Sequence, residues 1–200
     1  MASPDPTDIA KWTIPALLGS AGLLGAIKWW WENRRPNISL ANTIQPLYEG
    51  FGDPYTGPPC YWYHLKVTNR SKRVAGNVYV QLVRADKSRA DGSFSKTELA
   101  GPVKLLWAQG PNRVSKDIVG LADETCNLGY AMQRNNFFQL DVVHEAQLAP
   151  RFILYANERM QIQVIAIGDN AKSKPLNLEI TWDGMWSDKP EDMCVVQQAA

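Results

Sequence analysis

The sequence predicts a mainly β chain: an antiparallel sandwich of about eight strands, preceded by one N-terminal transmembrane helix. Three observations predict it. Residues 13–27 form an uncharged run with tryptophan at both edges. Beyond residue 37 the chain alternates apolar and polar residues in short stretches divided by turn residues. Third, no helical repeat competes with that alternation after residue 36, which is the mark of strands half buried on one face.

The N-terminal element comes first. TIPALLGSAGLLGAI spans residues 13–27, with Lys11 and Trp12 before it and Lys28, Trp29, Trp30 and Trp31 after it. A helix from residue 12 to 31 is about 30 Å long, the thickness of a bilayer's hydrocarbon core. Tryptophans at both edges match the interfacial aromatic belt, and Lys11 and Lys28 can snorkel outward. Pro15 falls in the first turn, where a missing N–H costs least. A cleaved leader would want a positive start and small residues at a cleavage site, yet this one carries Asp5 and Asp8 and its apolar run ends in Lys-Trp-Trp-Trp. An interfacial helix needs a charged face, and residues 13–27 offer none. A buried soluble helix is the other alternative, since fifteen apolar residues is short for a span. Lys28, Arg34 and Arg35 outweigh Lys11 among Asp5 and Asp8, so the positive-inside rule puts the bulk of the chain in the cytoplasm. Ala21 with Gly25 and Gly22 with Ala26 make small-xxx-small pairs that permit helix association and hence a homo-oligomer. The expected organisation is a tail (1–11), the span (12–31), a linker (32–37), the sandwich (38–193) and a C-terminal tail (194–200).

Within the sandwich, strands are expected at 38–47, 61–67, 78–82, 103–108, 137–143, 151–156, 160–167 and 176–182. Tyr61, Tyr63, Leu65 and Val67 share one face of their run, and Val78, Val80 and Leu82 one face of the next. The polar stretch Asn69–Arg73 between them reads as a hairpin turn. Pro46 should sit at an edge or a strand end. Two polar stretches, 86–102 and 109–133, read as long loops, the second with room for one more strand.

Composition narrows the chemistry. Lys+Arg total 21 and Asp+Glu 20, a net charge of +1, and beyond residue 35 the two signs are equal in number. A neutral domain is not drawn to anionic lipid or to duplex nucleic acid by charge alone. The three cysteines, Cys60, Cys126 and Cys194, show no C-x-x-C spacing, which argues against a disulfide scaffold or a cysteine metal cage and agrees with a reducing compartment. The two histidines, His64 and His144, belong to no metal or triad pattern, and neither a G-x-S-x-G nor a Walker A motif occurs. No cofactor, metal or enzyme activity is therefore expected. Asp183, Asp188, Glu191 and Asp192 gather near Trp182 and Trp186, but their spacing is not that of a calcium loop. They read as a solvated strand exit, with Trp182 in the core and Trp186 over its edge. Arg70, Lys72 and Arg73 in the turn and Arg84 in the next strand are the candidate binding residues, suited to a phosphate, an acidic partner surface or lipid headgroups.

The run YWYHLKVTNRSKRVAGNVYVQLVRA (61–85) resembles the opening hairpin of bacterial immunoglobulin-like modules: an apolar strand ending in V-x-N, a polar turn, and a second strand opening with Ala-x-Asn-Val. MQIQVIAIGDNAKSKPLNLEITWDGMW (160–186) resembles the closing hairpin of uncharacterised bacterial proteins that join a membrane segment to one such domain. The resemblance implies an immunoglobulin-like fold at the inner membrane and carries no active site. The expected function is a single-pass, membrane-anchored module that binds a partner protein. The alternative is a ligand sensor, taking a small nucleotide, whose Gly-rich helix oligomerises and perturbs the membrane as in bacterial defence.

Overall fold

Alternating apolar residues build two antiparallel sheets that face each other across a single core. The computed structural model describes residues 22, 24–25, 35–41, 45–50, 57–95, 103–109, 114–143 and 152–199, and the side chain of Tyr48 alone within 45–50. The chain divides into two units, Met1–Arg35 and Pro36–Ala200. In the first, Gly22, Leu24 and Gly25 are helical. The remainder of the expected span, including Lys11, Trp12, Lys28, Trp29, Trp30, Trp31, Ala21 and Ala26, lies outside the described residues. No helix among the described residues is long and apolar enough to cross a membrane.

The second unit is mainly β. Its strands are β1 (Ile38–Leu40), β2 (Gln45–Gly50), β3 (Pro59–Asn69), β4 (Ala75–Ser88), β5 (Phe94–Ser95), β6 (Val103–Leu105) and β7 (Lys116–Ile118). They continue as β8 (Asp123–Met132), β9 (Phe137–Leu140), β10 (Val142–Val143), β11 (Ile153–Tyr155), β12 (Glu158–Ile167) and β13 (Leu176–Trp182). One helical turn, α1 (Pro190–Met193), and a last strand, β14 (Cys194–Gln198), complete the chain. The first sheet runs β1-β3-β8-β9-β11, with β2 also on β3; the second runs β10-β6-β4-β12-β13-β14, with β5 and β7 also on β4. Every pairing is antiparallel.

The expected strands form, with instructive departures. The 38–47 run is two strands, and 137–143 divides at Asp141 into β9 of the first sheet and β10 of the second. The segment 103–107 makes the same crossing: Val103–Leu105 pairs in the second sheet, while Trp107 bridges to Cys126 of the first. These two crossings stitch the sandwich along one side. Leu106 N donates to Asp141 O, Asp141 N to Leu128 O, and Asn127 N to Leu106 O. The 109–133 stretch, read as a loop with room for one more strand, holds two, β7 and the ten-residue β8. The 194–200 tail is largely β14, paired along its length with β13.

The largest departure is at residues 61–82. The two runs expected as a hairpin are strands of opposite sheets: β3 pairs with β1, β2 and β8, and β4 with β5, β6, β7 and β12. The connection is an arch between layers. Alternation identifies which face of a strand is buried, and that face is buried equally well against a facing sheet as in a shared one. Leu65 and Val67 therefore meet Val78, Val80 and Leu82 in one core, all fully buried. The 160–182 hairpin does form, from Glu158↔Trp182 to Val164↔Leu176.

Trp107, Trp182, Tyr63, Phe138 and Phe152 are the largest fully buried side chains. At the end where β3 begins, Tyr61 and Tyr63 reach across the layers, their hydroxyls donating to the carbonyls of Asp188 and Pro190, both at 3.0 Å. Trp186 stacks on Tyr61 with ring centroids 5.0 Å apart. This end is closed by the chain segment leading into α1.

Candidate functional site

At the opposite end, where β3 ends and β4 begins, the candidate cations of the turn are found. The arch there is built on Asn69, which is fully buried. Its Nδ2 donates to the carbonyls of Arg73 (2.6 Å), Ile118 (3.0 Å) and Val119 (3.2 Å). Its Oδ1 accepts from the backbone N and the hydroxyl of Ser71. Buried amides are retained only when satisfied, and this one joins the arch to the β7–β8 turn. The two loops touch along their backbones: Leu121 N donates to Ser71 O and Asn69 N to Ala122 O. A Cβ on Gly120 would stand 2.3 Å from the carbonyl carbon and oxygen of Lys72, an approach only glycine permits.

Two further segments meet at this end. Arg70 N donates to Asn37 O at 2.8 Å, just before β1, so the chain enters the sandwich here. In the β12–β13 turn, Asn170 Nδ2 donates to Val74 O, its Oδ1 accepts from Gly76 N, and Asp169 N donates to Gly76 O. The result is a braced platform of three loops and the entering strand.

Its surface combines positive charge with apolar tips. Arg70, Lys72, Arg73, Lys172 and Lys174 are all exposed. The neighbouring carboxylates are engaged locally. Asp117 Oδ1 accepts from Asn77 N and Asp169 Oδ1 from Asn77 Nδ2. Lys66 pairs with Asp123, and Lys116 with Glu124 at 2.6 Å. The hydrogen bonds from Lys66 and Thr68 hold the Asp123 carboxyl below the usual carboxylate range. Among the cations stand Leu121, Val119 and Val74, exposed at 67%, 57% and 48%. Leu121 adopts φ +59°, the left-handed region that a branched apolar side chain seldom occupies.

The sequence missed this apolar set because Val119 and Leu121 lie in what read as a loop. The signal available was an exposed leucine beside a glycine in a polar stretch. Of the four candidate cations, the structure brings Arg70, Lys72 and Arg73 together and separates Arg84, which lies roughly 30 Å further along β4 at about 3.3 Å per residue. Arg84 is held by Asp86, a carboxylate buried beneath it. That pairing occupies the outer face of the second sheet beside a polar ladder, Gln161 to Glu179 and Gln163 to Asn177.

The other titratable candidates fall elsewhere. His64 stands half-buried on the outer face of the first sheet, opposite Asn127. His144 lies outside the described residues. Cys60, Cys126 and Cys194 are all buried, and none of the three is in a disulfide. Burial, and then the Asp183 carboxylate, push the Cys194 thiol far up despite a hydrogen bond with Tyr63, and burial does the same to the Tyr63 phenol. Among the described residues no three His, Cys, Asp or Glu side chains gather to hold a metal ion.

No family model matches the chain. No curated protein matches it either. Among solved structures, the Northeast Structural Genomics Consortium target SoR45 is similar over 70% of this chain and 84% of its own, at 12% identity and a TM-score of 0.29, a likeness too slight to carry an argument.

Proposed function

We propose that the protein is a single-pass, membrane-anchored immunoglobulin-like sandwich that holds a partner protein at the cytoplasmic face of the inner membrane. The observation that carries this reading is a junction. The tryptophan-edged run of residues 12–31, uncharged over 13–27, leads through four residues to Pro36, and the chain enters the sandwich at its basic end. Positive charge next to a span belongs on the cytoplasmic side. A sandwich with its own core is suited to presenting edges and loops to another protein, and its chemistry here is that of surfaces. The nucleotide-sensing alternative has less support, because Arg84 is bound to Asp86 and stands far from the other three cations.

The test is extraction of the full chain. It is expected to stay in the membrane pellet after an alkaline wash and to enter solution only with detergent. A chain lacking residues 1–35 is expected in the supernatant. Release of the full chain by alkali alone overturns the anchor, and retention of the shortened chain would show that residues 12–31 are not what holds it.

A further inference from the structure

We propose that the arch end of the sandwich is itself a lipid-contact surface, in which Leu121, Val119 and Val74 enter the headgroup layer of an anionic bilayer while Arg70, Lys72 and Arg73 meet lipid phosphates. The proposal rests on the reading of residues 12–31 as a membrane span, and adds that the folded domain touches the bilayer through one defined end.

Four observations converge on it. The first is place: the chain enters at this end, where Arg70 N holds Asn37 O. The linker 32–37, fully extended, reaches at most about 20 Å. The second is the pattern of the surface. Apolar tips set among Lys and Arg make the composition of an interfacial contact, where apolar side chains sink into the headgroup region and cations stay at phosphate level. The third is charge: the exposed Arg70, Lys72, Arg73, Lys172 and Lys174 outnumber the exposed carboxylates Asp117 and Asp169, while Asp123 and Glu124 are matched by Lys66 and Lys116. The fourth is Leu121. An exposed leucine at φ +59° bears a backbone cost and solvent exposure together, a combination that a lipid contact would recompense. The platform beneath is rigid, being fixed by Asn69 and by the contact of Gly120 with Lys72.

Site-directed fluorescence on the full chain tests it. The native thiols are buried, so Leu121→Cys directs an environment-sensitive bimane label to the arch end, and Met185→Cys, 69% exposed in the segment leading to α1, provides the control. Each labelled chain is reconstituted into phosphatidylcholine vesicles with or without phosphatidylglycerol, and lipids brominated high on their acyl chains serve as quenchers. The label at 121 should shift to the blue and be quenched several-fold more strongly than the label at 185. The difference should grow with phosphatidylglycerol and shrink when Arg70, Lys72 and Arg73 are replaced by Glu. Chains that float with the vesicles yet show equal, weak quenching at both positions overturn the proposal and leave the anchor standing. Chains that do not float overturn both. A blue shift that follows the protein-to-lipid ratio and vanishes on dilution into excess lipid would assign this surface to a second copy of the chain and overturn the lipid assignment.

Discussion

Asn69 satisfies three carbonyls with one side chain from a fully buried position. Asn69→Ala leaves those carbonyls without this donor, at a cost of roughly 2–3 kcal/mol. A lowered urea midpoint at unchanged slope measures it. In the sequence Asn69 opens a polar turn, and nothing separates an arch keystone from an exposed turn residue until the facing loop is known. Leu121 shows the opposite relation to stability. Asn occupies the left-handed region with less strain, so Leu121→Asn should raise the thermal midpoint, by relief on the order of 1 kcal/mol, while weakening vesicle contact. Cys194 sets a pH dependence. Its folded pKa is raised, so the unfolded chain gives up this proton first, from about pH 8.5. Stability is therefore whole below that pH and falls as pH rises toward the folded value. The Tyr63 phenol adds to the fall above about pH 10. Cys194→Ala should flatten the first part of the alkaline decline, read as thermal midpoint against pH.

Among the elements, β8 was hidden and β13 was plain. β13 alternates Leu176, Leu178, Ile180 and Trp182 against polar neighbours, and each of these four is buried. In β8, Cys126, Asn127, Leu128 and Gly129 are buried in succession, because β3 pairs it through a bulge and the 106–107 crossing packs beside it. Alternation is lost where both faces are covered, and an Asn and a Gly then read as turn residues. β14 was read as a tail because five residues after an acidic stretch give too little pattern to see. Its pairing with β13 makes a firm prediction: removal of residues 194–200 uncovers the β13 edge, lowering the thermal midpoint and promoting aggregation on refolding. Glycines separate by contact in the same way. Gly120→Ala forces the arch and the β7–β8 turn apart and should destabilise clearly in a chemical melt. Gly76→Ala, whose Cβ would meet nothing nearer than 3.8 Å, should be tolerated.

For the whole molecule, class was legible and neighbourhood was not. Period-two alternation with turn residues specifies antiparallel strands that each bury one face, which is enough to state a sandwich. It says nothing about which strand lies beside which, and the arch at residues 69–74 is where that gap showed. The three cations of the turn were legible as a cluster for the same local reason, whereas two of the three apolar tips beside them, Val119 and Leu121, come from a loop some fifty residues later and needed the fold.

The arch also governs how such a chain is made. β3 takes its main partner from β8 and β4 its longest from β12, which begins only at Glu158. As the chain leaves the ribosome, residues 59–88 emerge as two long apolar-faced strands, with only β1 and β2 already made beside β3 and no neighbour yet synthesised for β4. Closing such distant pairs carries a loop-entropy cost before any contact rewards it, so folding belongs to the millisecond-to-second class. It must also wait for nearly all of the polypeptide. During that interval the uncharged run of residues 13–27 is already made while the sandwich is still unformed.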